Sequence, residues 1–185
     1  MAETTTLTDN DLIDAIFDRI GRTLAMMDGH FSHEDLTVTR EQTRPAGEDQ
    51  IHISYKIAYR YGSEDFHGSF LLPLGETMTI AAMLMMLPQE SVDEIRAADS
   101  LVPEVRDAVV ELGNLIAGAV DYALRDAVGD GSSARFRGCQ GVRAGVRPAF
   151  PYEEGQTLLV GRARGRIAEY DEFPFLFMMP LPPGM

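Results

Sequence analysis

Four residues in the stretch VRDAVVELGNLIAGAVDYALRDA, residues 105–127, have types and spacing that suit chemistry: Asp107, Glu111, Asn114 and Gly118. At about 100° per residue they fall on one stripe of a helix. Glu111 and Asn114, at i and i+3, are neighbours on it. The carboxylate accepts hydrogen bonds and can pair with a lysine, whereas the carboxamide both donates and accepts and stays neutral. An amide beside a phosphoryl group can hold a water in line for attack without taking its proton, as the water-orienting glutamine of GTPases does. Phosphoryl transfer asks mainly for positioning. Two side chains on a rigid helix therefore suffice when a partner brings the metal and the phosphate. An outward Glu-x-x-Asn is also what an ordinary solvated helix face looks like. The glycines argue for more, since glycine costs a helix about 1 kcal/mol relative to alanine. Gly118 stands one turn after Asn114 on the same stripe, where a small residue lets another surface approach. Gly113 lies toward the core side and suits close packing.

The elements that must hold this stripe in place are legible from periodicity. On the opposite side of the same helix, Val105, Val109, Leu112, Ile116, Ala119 and Ala123 form an apolar face. Pro103 suits the first turn. An earlier helix is expected over "LTDNDLIDAIFDRIGRTLAMM", capped by Thr8 or Asp9. Its apolar positions are Leu12, Ile13, Ile16, Ile20, Leu24 and Met27, and "DGH" ends it. Strands are expected at "LTVTREQT", "QIHISYKIAYRY" and "DFHGSFLLPL", with "RPAGED" as a loop. "GETMTIAAMLMML" reads as a buried helix whose methionines fill the core or form a partner groove. "PQESVDEIRAADSLVP" reads as a polar connection with at most a helical turn. Beyond "VGDGSS", strands return at "ARFRGCQGV", "QTLLVGRARGRIAEY" and "FPFLFMM". The expected class is α+β, a largely antiparallel sheet packed with long helices. It forms a single domain over 1–185, with a first half at 8–88, a motif helix plus strands at 101–180, and a flexible tail at 181–185.

Composition narrows the function classes. The chain is 45% hydrophobic and 24% charged, with a net charge of -13. That balance suits a folded soluble domain and opposes binding to nucleic acid. The lone Cys139 excludes a disulfide within the chain and is read as structural. No apolar run reaches membrane-spanning length, and the polar N-terminus lacks a signal peptide, so the expected location is the cytoplasm without membrane insertion. "HFSHED" places His30 and His33 beside Glu34 and Asp35. It is read as a polar loop, because a metal site needs three or four converging ligands. His52 and His67 fall in different strands with nothing to mark them as ligands. "GRARGRIAEY" is the only basic run, its arginines expected on one face of a strand.

The stretch "DAVVELGNLIAG" resembles the signature of the CheX/CheC/FliY phosphatases of bacterial chemotaxis, D/S-x-x-x-E-x-x-N, met here by Asp107, Glu111 and Asn114. "YRYGSEDFHGSFLLPLGETMTIAAMLMML" is similar to the region that precedes that signature in CheX, and the resemblance runs over roughly residues 10–175. It implies a CheC/CheX-like layered domain with pseudo-repeated halves. It also implies dephosphorylation of a phosphorylated CheY-type receiver domain. Glu111 would pair with a receiver lysine and Asn114 would position the water that attacks the aspartyl phosphate. Asp107 would support the motif and Gly118 would face the partner. The chain would need no cofactor of its own, with Mg²⁺ bound by the receiver. A single signature looks more like CheX than CheC, and CheX-like proteins imply a homodimer. One departure is the long segment between Asn114 and Pro148, where the family has a nearer proline. The alternatives are a non-catalytic module of the same fold that binds a receiver or flagellar partner, and a small-molecule sensor with a large closed apolar pocket.

Overall fold

A computed structural model describes residues 7–25, 31–183 and 185. Met27, His30 and the "DGH" helix end lie outside the described residues. Helix α1 (Asp9–Ala25) is followed by strands β1 (Phe31–Glu41), β2 (His52–Tyr61) and β3 (Glu64–Pro73). Then come helices α2 (Leu74–Leu84) and α3 (Gln89–Arg96), a 3-10 turn at Pro103–Val105, and the long helix α4 (Arg106–Val128). Strands β4 (Ser132–Val142), β5 (Leu158–Ile167) and β6 (Phe173–Pro180) complete the chain. The six strands form one antiparallel sheet in the order β1-β5-β6-β3-β2-β4. This is the α+β architecture expected from the sequence.

The order has an internal logic. Exchanging β1 with β4, β2 with β5 and β3 with β6 reverses the strand order onto itself. Each half is a helix and three strands, and the halves meet where β3 pairs β6 at Ser69–Met178, Phe70–Phe177 and Leu71–Leu176. The outer strand of each half pairs within the other half, β1 with β5 and β4 with β2. Both outer pairings carry a bulge, near Asp35 in β1 and near Gly138 in β4. Bulges of this kind blunt an exposed edge.

Alternation sends one side of each strand under the helices. Tyr55, Ile57, Phe70, Leu72, Leu159, Phe175 and Phe177 join Leu12, Ile16, Phe17, Ile20, Leu112 and Ile116 in the main core. The other side of the central strands carries a smaller cluster of Leu71, Val142, Phe150, Leu158, Val160, Leu176 and Met178. Much of the long segment before Pro148 is therefore ordered. It contains the end of α4, all of β4 and a loop whose Pro148 carbonyl accepts from Arg44 at 2.9 Å.

Thr8 caps α1: its hydroxyl accepts from the Asp11 backbone N–H at 3.2 Å and donates to the Asp11 carboxylate at 2.6 Å. The five described positions of the expected apolar stripe, Leu12, Ile13, Ile16, Ile20 and Leu24, are all buried, and Phe17 joins them. On the outside, Arg19 lies 3.6 Å from the centre of the Tyr122 ring and so ties α1 to α4.

Two readings need correction. "HFSHED" is not a loop from Phe31 onward, because β1 starts there. Its polar residues suit an edge strand, where one side faces solvent. "PQESVDEIR" is more than a turn. It is the helix α3, held to α2 by Arg96, which pairs with the buried Glu76 at 2.6 Å and donates to Thr79 at 3.1 Å. At the start of the expected tail, Leu181 N–H donates to the Thr157 carbonyl at 3.1 Å, and Pro182 is buried.

Candidate functional site

Helix α4 opens as expected, with Pro103 at the start of its 3-10 first turn and Val105 fully buried. The expected core face is the observed one: Val109, Leu112, Ile116, Ala119 and Ala123 are buried, with Val120 and Leu124. Gly113 is a seat for Phe136 of β4. A Cβ there would lie 2.3 Å from the phenyl ring.

The opposite stripe is bare. Asp107, Glu111, Asn114 and Gly118 are all exposed. The amide nitrogen Nδ2 of Asn114 donates to Oε2 of Glu111 at 3.0 Å, so carboxylate and carboxamide stand side by side near mid-helix. Asp107, one turn earlier, makes no hydrogen bond or ion pair among the described residues. A Cβ added to Gly118 would meet nothing within 4 Å, which leaves the helix open to an approaching surface. Val110, beside the pair, keeps 42% of its surface in solvent. The wheel gave a signal for it, since it falls outside the core stripe.

Helix α1 repeats the spacing without the chemistry. Asp11, Asp14 and Asp18 are exposed at i, i+3 and i+7, the spacing of Glu111, Asn114 and Gly118. No amide stands among them. Asp14 and Asp18 also bring carboxylate oxygens within 4.8 Å of a ring nitrogen of His33. His33 therefore looks toward α1 and not toward Glu34 and Asp35. Exposed carboxylates gather in this way without an ion.

The other sequence candidates fall away from this surface. Cys139 is half-buried in β4, and desolvation pushes its thiol above the usual value, away from nucleophilic use. His52 is buried, its Nδ1 2.8 Å from the Gln50 carbonyl, and burial lowers its pKa. The arginines of β5 share one face as expected and are matched by acids: Arg162 with Glu41 at 2.7 Å, Arg164 with Glu172 at 3.2 Å, and Arg166 with Glu172. Of the methionines, Met78 is buried, whereas Met85 and Met86 are 44% and 83% exposed. A cleft of about 180 Å³ beside His52 is rimmed by Asp35, Glu48, Arg162 and Arg164. Ala46, Ala163, Pro174, Phe175 and Leu176 complete its lining, so polar and apolar groups share the cleft. Among the described residues, no helix is long and apolar enough to cross a membrane.

No protein-family model matches the chain, and no curated protein does. Solved structures do. FliY from Thermotoga maritima matches with a TM-score of 0.67 at 13% identity, over 96% of this chain and 92% of that one. The FliM middle domain from H. pylori matches with a TM-score of 0.61 at 7% identity, over 95% and 94%. The chemotaxis protein CheX from Vibrio vulnificus matches with a TM-score of 0.56 at 12% identity, over 91% and 97%. The likeness is one of fold, and it spans nearly the whole of each chain.

Proposed function

We propose that this protein is a CheX-like phosphatase that removes the aspartyl phosphate of a CheY-type receiver domain. The observation that carries the reading is the exposed Glu111–Asn114 pair, joined at 3.0 Å on a rigid helix of this fold. Glu111 pairs with a receiver lysine and orients the complex. Asn114 enters the receiver's site and holds a water in line with the phosphorus, while the receiver supplies Mg²⁺. Asp107 supports the approach and Gly118 leaves room for it. The reading includes action in the cytoplasm and a homodimer, which sedimentation velocity tests.

The experiment is phosphate release from a panel of phosphorylated receivers. Wild type accelerates release from at least one receiver. Asn114→Ala slows that acceleration by about two orders of magnitude, as lost positioning does, with the circular dichroism spectrum and Tm retained. Stimulation by Asn114→Ala equal to wild type sinks the role given to the amide.

A second reading is a binding module without catalysis. It is favoured by the fold shared with the FliM middle domain and by the bare Met85–Met86 turn. A receiver that binds while its phosphate lifetime stays unchanged selects this reading.

A further inference from the structure

We infer that Glu111 is a positioning residue for Asn114: it fixes which end of the amide faces outward. The inference rests on the phosphatase reading and deepens it. A side-chain amide has two ends of nearly one shape and opposite hydrogen-bonding character. On a bare helix face its terminal torsion is broad and roughly two-fold, so both ends are presented in turn. An ionised carboxylate only accepts hydrogen bonds. Glu111 Oε2, 3.0 Å from Asn114 Nδ2, therefore holds the NH₂ end and turns Oδ1 away from itself. An attacking water must give a hydrogen to an acceptor, and Oδ1 is that acceptor. The second carboxylate oxygen, Oε1, stays free for the receiver's ammonium group. One side chain thus binds by charge and orients by hydrogen bond.

Two substitutions separate these jobs. Glu111→Ala removes both. Glu111→Gln removes the charge but keeps a carbonyl able to accept from Nδ2. Its own NH₂ can also pair the amide the other way round, so the orientation is kept in part. KM for the phosphorylated receiver rises in both variants. The turnover number of Glu111→Gln stays within about threefold of wild type, whereas that of Glu111→Ala falls by about tenfold or more. A second measurement needs no turnover. The Asn114 side-chain NH₂ resonances, identified by their loss in Asn114→Asp, are ordered in wild type. They become mobile in Glu111→Ala and intermediate in Glu111→Gln. Equal turnover numbers for the two variants, or equal amide order in wild type and Glu111→Ala, overturn the inference and leave Asn114 its role. A wild type that acts on no receiver sinks the phosphatase reading instead, and the amide order still decides the orientation.

Discussion

Asn114 and Gly118 are both poorer helix formers than alanine, and both stand on the exposed face of α4. Their presence works against the helix and in favour of access. This gives Gly118→Leu two effects of opposite sign. The helix gains about 0.5–1 kcal/mol in propensity, so Tm rises. On the phosphatase reading the new side chain stands in the approach path, so stimulated dephosphorylation falls and the KM for the phosphorylated receiver rises. A variant that is both more stable and fully active argues that no surface docks there. Gly113 is a different case in the same helix, because its missing Cβ is the space filled by Phe136. The exposed stripe of α4 was legible because a long helix repeats its pattern often enough to separate two stripes. The 3.0 Å bond between Glu111 and Asn114 was legible only as nearness, since spacing does not say which amide end points where.

At the scale of elements, α1 shows how a helix start is held by few groups. The side-chain and backbone bonds from Thr8 hold the Asp11 carboxyl below its usual pKa. The guanidinium of Arg40 does the same for Asp9 across the gap to β1. A carboxylate with a depressed native pKa contributes stability above its unfolded pKa, about 3.9 for aspartate. It loses that contribution as pH falls through the native value. Thr8→Ala should cost about 1 kcal/mol at neutral pH. The gap between wild-type and variant Tm should narrow as pH drops below about 4, leaving the part owed to the Asp11 backbone N–H, which does not titrate. A gap unchanged in acid shows that the Asp11 carboxylate contributes nothing to the cap. Elements with strong periods, such as α1 and β2, were plain in the sequence. The start of β1 and the short α3 were not. The first is polar because it lies at an edge, and the second holds its place through Arg96 and Glu76, a contact made across 20 positions of sequence.

The strand order belongs to the whole molecule and to no local pattern. β1 finds its partner in β5, more than a hundred residues on, and nothing within either strand announces it. The central joint of the sheet is short, with three paired positions from β3 and β6. Gly68 lies beside it: a Cβ there would be 2.3 Å from the backbone carbonyl oxygen of Met178. Backbone cannot swing aside as a side chain can. Gly68→Ala should therefore destabilise the whole protein by about 1–3 kcal/mol, seen as a lower urea midpoint with an unchanged m-value. A midpoint equal to wild type shows that the joint yields freely.

The unequal faces of α1 and α4 bear on valency. A scaffold whose strand order maps onto itself could carry two identical docking faces and bridge two partners. Here α1 offers Asp11, Asp14 and Asp18 where α4 offers Glu111, Asn114 and Gly118. Three carboxylates repel a phosphorylated surface that comes within a Debye length, about 10 Å at 0.1 M salt. On the phosphatase reading, each chain is thus monovalent, serving one phosphorylated partner at a time and crosslinking none.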